Sequence, residues 1–182
     1  MAQKILFCDN SLRNLINFRG DVINSYLTDG CKVVLVAPPD SDYSPSSQNI
    51  NYIPIKMSRS GMNPFKEMEY LKTLYNIYKR ESPDYIFHYT IKPNIYGSIA
   101  ARLRHIPSTA VIAGLGYVFN SKGIRSIIAR MLYRFAMQFP EHIIVLNQHN
   151  KDIIIKHHIA SPKRVILLSG GEGINLDLFK NY

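Results

Sequence analysis

The chain has 182 residues, 46% of them hydrophobic, and 22 Lys and Arg against 13 Asp and Glu give a formal charge of +9. That length bounds it to one domain, or one domain with a tail. No apolar run reaches the ~20 residues of a membrane span, and MAQKILF lacks a signal peptide's charged-then-apolar layout, which together point to a cytoplasmic chain. The basic excess asks for a polyanionic partner, and with no zinc-finger spacing or RNA-binding aromatic signature, anionic lipid or a phosphorylated substrate is favoured over nucleic acid.

Residues 4–9, KILFCD, read as a first strand. The polar stretch 10–20 reads as a loop, followed by a helix through Val22, Ile23, Tyr26 and Leu27 that Gly30 caps. KVVLVA at 32–37 is a second buried parallel strand, and the Ser/Pro-rich 40–49 is a surface connection. A third strand covers 50–55. Asn63 and Pro64 then start a helix, with Met68, Leu71, Tyr75 and Tyr78 as its buried stripe. Pro83-Asp84 precedes the strand Tyr85-Ile86-Phe87, and the chain turns polar at His88, Thr90 and Lys92. Pro93 opens a helix whose core face is Ile95, Ile99 and Leu103. TAVIA at 109–113 is a fifth strand, followed by a glycine-loaded turn and a helix over 124–138. HIIVL at 142–146, a helix capped by Asn147, and RVILL at 164–168 complete the pattern. Alternating strands and helices with short loops predict an α/β fold: a mostly parallel, Rossmann-like sheet with helices on both faces.

Candidate chemistry gathers after the strands, where open α/β sheets bind ligands. Asn17, Phe18, Arg19 and Gly20 are placed in the first turn. They do not form a dinucleotide fingerprint, yet Gly20 would let a phosphate approach the backbone with Arg19 as counter-charge. His88 sits at a strand tip beside Thr90 and Lys92, and Lys92 could neutralise a substrate phosphate. Gly114, Gly116 and Tyr117 combine close backbone approach with a stacking face suited to sugars. Cys8 and Cys31 read as small core residues, and His149, His157 and His158 lack metal spacing, so neither metal nor cofactor is expected. In the 124–138 helix, Ile124, Ile127, Ile128, Met131 and Phe135 share one face, bordered by Arg125, Arg130 and Arg134. Two readings stand: a membrane-surface helix with snorkelling arginines, or an ordinary helix packing that stripe on the sheet.

TIKPNIYGS followed by GLGYVF resembles the N-terminal domain of family 4 glycosyltransferases of bacterial surface-polysaccharide assembly, with NFRG, SRSGMNP and GINLDLF in the same order. The resemblance implies the acceptor-side half of a GT-B fold. Residues 1–168 would form it, and 169–182 would lead toward a second Rossmann-like domain that this sequence does not include. It implies sugar transfer from a nucleotide donor, UDP-linked, to a lipid-linked or saccharide acceptor, while the +9 charge and the arginine-bordered 124–138 stripe place the chain as a peripheral protein on the membrane's inner face. It also implies Gly20 and Arg19 at the donor diphosphate, His88 at the transferred sugar as the catalytic residue, and Lys92, Gly114, Gly116 and Tyr117 at the acceptor. Turnover by these residues alone is expected to be negligible. Either the chain is cut short of its second domain, or a separate chain carrying that domain, or a homo-oligomer, would complete the enzyme. Half of a nucleotide-sugar epimerase and a non-catalytic acceptor- or partner-binding module are the alternatives.

Overall fold

The computed structural model describes residues 2–43, 49–57, 63–115, 123–171 and 173. Seven strands form one sheet: β1 (Lys4–Cys8), β2 (Lys32–Ala37), β3 (Ile50–Pro54), β4 (Tyr85–Tyr89), β5 (Ser108–Ile112), β6 (His142–Val145) and β7 (Val165–Leu167). Their order is β3-β2-β1-β4-β5-β6-β7, and every neighbouring pair is parallel. The order reverses between β1 and β4, the switch point of a Rossmann-like sheet.

Strand alternation sorts the core into two layers. Leu6, Cys8, Val34, Val36 and Ile86 pack under α2 (Pro64–Glu81) and α3 (Ser98–Leu103). Beside them on the same face, Ala110, Ile112, Ile143 and Val145 pack under α4 (Ile124–Ala136) and α5 (Gln148–Lys156). Ile5, Phe7, Val33 and Leu35 point the other way, under α1 (Leu12–Thr28). Helices thus cover both faces, but α1 is the only helix on its face among the described residues.

Three helices differ from the sequence reading. The loop expected over 10–20 is mostly helix, because Ser11 caps α1, its Oγ accepting from Asn14 N at 3.3 Å. Leu12, Leu15, Arg19 and Ile23 then form one buried line, which outweighs the ~1 kcal/mol cost of Gly20 in a helix interior. In α2 the Asn63 cap and Pro64 stand as expected. The buried stripe, however, is Glu67, Tyr70, Leu74, Ile77 and Tyr78, while Met68 is 64% exposed. After β4 a single π-turn, Pro93–Gly97, precedes α3. Its extra residue shifts the helical phase, so Ala100 and Ala101 are buried and Leu103 is exposed.

The stripe of α4 does not pack on the sheet. Tyr133 and Ala136 face inward, whereas Ile124, Ile127, Ile128, Met131 and Phe135 are 49–75% exposed. Arg134 is exposed, and Arg130 donates to Ser126 Oγ at 2.9 Å. The side chain of Arg125 lies outside the described residues. No helix among the described residues is long and apolar enough to cross a membrane.

Candidate functional site

The parallel strands end together at one edge, and two adjoining clefts open there. The first, of about 300 Å³, is bounded by Asn10 after β1, Thr90, Lys92 and Asn94 after β4, and Ala113 and Gly114 after β5. The second, of about 480 Å³, lies between the end of β3 and the start of α2, and includes Lys56, Lys66, Glu67, Glu69 and Thr73. Met57 and Lys92 belong to both.

The first cleft is built from backbone that the strands have finished pairing, so side chains take over. Asn94, buried in the π-turn, donates from Nδ2 to the Val111 carbonyl at 2.9 Å. Asn150 of α5 donates to the Ala113 carbonyl at 3.1 Å. These two amides fix the end of β5, where a buried carbonyl without a donor would be costly. Thr90 turns the chain from β4 into the π-turn with φ +67°. A β-branched residue in this left-handed region carries about 1–3 kcal/mol of strain, a cost that clusters at ligand sites. Asn94 N closes the turn on the Thr90 carbonyl at 3.0 Å.

The wall shared by the clefts carries an ion pair: Lys92 Nζ donates to Glu67 Oε1. The two side chains are 17% and 10% exposed. Burial first, and then the Glu67 carboxylate, raise the Tyr96 phenol beside them. Glu67 is a site residue the sequence reading missed. The available signal was its phase: positions 67, 70, 74, 77 and 78 trace one helical face, so a carboxylate stood at a core position.

His88 does not line either cleft, and its catalytic placement is corrected. The strand runs on to Tyr89, so His88 is no longer in the turn. Alternation points it under α2 and α3, where it is fully buried. Its Nε2 is hydrogen-bonded to Tyr78 Oη at 3.0 Å, and burial lowers its pKa to about 3. The neutral ring packs so closely on Gly97 that a Cβ there would stand 2.4 Å from His88 Cδ2. Cys8 lies in the same layer, its thiol pushed up to about 12 by burial, as suits an inert core residue.

Gly20 and Arg19 are also corrected. Both sit inside α1, on the opposite sheet face from His88, and not in the turn after β1. A Cβ at Gly20 would meet nothing within 4 Å, so no close approach demands glycine there. The Arg19 guanidinium lies over the Tyr89 ring at 4.6 Å, in a residue only 8% exposed, where it seals the core. A donor-diphosphate role for this pair therefore loses its geometric basis. Of the expected acceptor residues, Lys92 and Gly114 line the first cleft, and a Cβ on Gly114 would project into open space. Gly116 and Tyr117 lie outside the described residues.

The family model for glycosyl transferase 4-like proteins matches residues 4–148. The N,N'-diacetylbacillosaminyl-diphospho-undecaprenol alpha-1,3-N-acetylgalactosaminyltransferase of Campylobacter jejuni is 26% identical over 97% of this chain and 48% of its own length. The UDP-Gal:alpha-D-GlcNAc-diphosphoundecaprenol alpha-1,3-galactosyltransferase of Escherichia coli is 28% identical over 78% of this chain and 36% of its own length. This chain thus spans half or less of these curated relatives. A solved glycosyltransferase from Rickettsia africae shares the fold with a TM-score of 0.69 at 15% identity, covering 98% of this chain and 45% of that one. With a switch-point cleft at the edge of a Rossmann-like sheet and a family match over most of its length, the chain belongs to the glycosyl transferase 4-like family.

Proposed function

We propose that the chain is the acceptor-side half of a glycosyltransferase of surface-polysaccharide synthesis. Its acceptor is a saccharide carried on a polyprenyl diphosphate, and the donor is a UDP-sugar held largely by a second domain. The protein works as a peripheral protein on the inner face of the membrane. The two curated relatives are both named for sugar transfer to a diphospho-undecaprenol-linked saccharide, which favours transfer over epimerisation. The observation that carries the lipid-linked reading is the exposed stripe of α4. Ile124, Ile127, Ile128, Met131 and Phe135 stand in solvent on the helix that follows β5, at whose end the first cleft opens. A polar cleft beside an apolar, arginine-bordered ridge suits a substrate with a polar head and a bilayer-embedded tail. Each basic residue near an anionic surface adds about 1 kcal/mol of attraction.

Vesicle sedimentation tests this. The chain is expected to bind anionic vesicles more than neutral ones, and less at high salt. It is expected to bind more tightly still when the vesicles carry undecaprenyl-diphosphate-linked N-acetylglucosamine. Replacing Arg125, Arg130 and Arg134 with Gln should weaken binding, and Arg134→Gln alone, at an exposed position, should do so with little effect on stability, since exposed charges contribute little to it. Equal binding to every vesicle type, together with tight binding of UDP-sugars in solution, would overturn the acceptor-side assignment.

A further inference from the structure

Lys92 is not a free counter-charge. Its ammonium is committed to Glu67, and both groups are largely buried. A neutralised pair exerts little net pull on an anion, and the carboxylate opposes one directly. Glu67 nevertheless has unused capacity. Oε1 holds the lysine, while Oε2 is buried and makes no hydrogen bond of normal length among the described residues, the Tyr96 hydroxyl being the donor beside the carboxylate. Its side chain is nine-tenths buried and borders the second cleft. A carboxylate has several acceptor sites, so Oε2 can take a further donor even with Tyr96 nearby, and a phosphate does not supply one. Lys92 has three donors, of which Glu67 uses one. The wall between the clefts therefore presents an acceptor and a donor side by side, the complement of a sugar hydroxyl, which both gives and takes a hydrogen bond. A divalent cation fits poorly, because the lysine ammonium occupies the carboxylate, and no cluster of three metal-ligating side chains exists among the described residues. Both cleft volumes suit a small ligand.

We propose that the Glu67–Lys92 pair reads the saccharide of the acceptor: a sugar seated in the second cleft donates a hydroxyl to Glu67 Oε2 and accepts from Lys92 Nζ. This rests on the acceptor-side reading above and assigns the pair to the sugar, leaving the diphosphate to other groups.

The test is a backbone-amide NMR titration of the whole chain with two soluble probes, methyl N-acetyl-α-glucosaminide and inorganic pyrophosphate. The glycoside is expected to shift amides around Glu67, Thr73 and Lys92, with an affinity independent of salt because it is neutral. Glu67→Gln, which keeps the shape and removes the charge, should weaken it roughly tenfold or more, the scale of a hydrogen bond to a charged group. Thr73→Tyr fills the second cleft from its rim and leaves the pair intact. It should also abolish the glycoside shifts, so the test survives if Glu67→Gln fails to fold. Two results would overturn the assignment: no glycoside shifts in the parent chain, or pyrophosphate shifts at the same residues that tighten in Glu67→Gln. The vesicle experiment reads the parent proposal separately. Glycoside binding without any preference for lipid-linked saccharide would sink that reading while leaving a saccharide site in place.

Discussion

Gly97→Ala is the sharpest test of where His88 lies. The new Cβ would stand 2.4 Å from His88 Cδ2, 2.6 Å from its Nε2 and 3.1 Å from Tyr78 Oη. Carbon atoms in contact rest at about 3.5–4.0 Å, so the ring would have to withdraw by about an ångström. It has nowhere to go, because His88 and Tyr78 are both fully buried. Overpacking of this kind costs about 1–3 kcal/mol. Displacing the ring also strains the Tyr78–His88 hydrogen bond, worth about 1 kcal/mol. Removing a helical glycine returns about 1 kcal/mol. The net loss is about 1–3 kcal/mol, which at 2–4 °C per kcal/mol lowers Tm by roughly 2–12 °C. Far-UV circular dichroism melts of the parent, Gly97→Ala, His88→Ala and the double variant check this. With the imidazole gone, the alanine should be tolerated, giving a coupling of about 1 kcal/mol or more between the two sites. A Gly97→Ala melt within about a degree of the parent, with additive changes in the double variant, would mean that His88 does not fill this space.

Acid stability follows from the same residue. The His88 pKa is lowered from 6.5 to about 3 in the fold, so between these values the unfolded chain binds more protons. Its contribution is complete above about pH 6.5 and is lost as pH falls toward 3. His88→Gln should flatten the acid side of the stability curve by up to about 1.4 kcal/mol per pH unit, read by denaturant midpoints at successive pH values. Thr90→Gly releases the positive-φ strain and should raise Tm by about 2–4 °C, from about 1 kcal/mol gained, while weakening acceptor binding through a looser cleft. Asn94→Ala removes the donor to the Val111 carbonyl and should cost about 1–3 kcal/mol, with faster hydrogen exchange at the end of β5 than at β1.

The strands were legible because each is a short apolar run bounded by turn residues, and KVVLVA spans β2 to the residue. Caps were legible for the same local reason: Asn63 and Asn147 both accept the expected first-turn amides. Errors came where a polar residue took a core position. Arg19 sits in the buried line of α1 and, with Gly20, disguised the first half of that helix as loop. Glu67 displaced Met68 from the inner face of α2 because its partner, Lys92, is 25 residues away. The π-turn has no local signature in PNIYG, so the phase of the residues after it was misread. His88 illustrates the main limit on the site. Whether a strand ends at Phe87 or Tyr89 decides if the histidine is in a turn or in the core, and that boundary is set by pairing to Ala110 and Cys8 on neighbouring strands. The α4 stripe was visible as a stripe. Its direction was not, because Tyr133 and Ala136 make a competing inner face.

The sheet order has a consequence for biosynthesis. β1 lies inside the sheet, between β2 and β4, so Ile5 pairs with Tyr85 and Cys8 with His88. β1 leaves the ribosome well before β4 and therefore keeps one hydrogen-bonding edge open until β4 has been made. At about 5–20 residues per second, that wait is roughly 4–16 s for the intervening stretch. During it, KILFC is a short β-forming segment with an unsatisfied edge, the kind that pairs with other chains. Lys4 stands at its start, as an edge charge that discourages such pairing. Once β4 arrives, the same residue becomes a clasp, its amide donating to Asp84 at 2.7 Å and its ammonium to the Glu81 carbonyl at 2.6 Å.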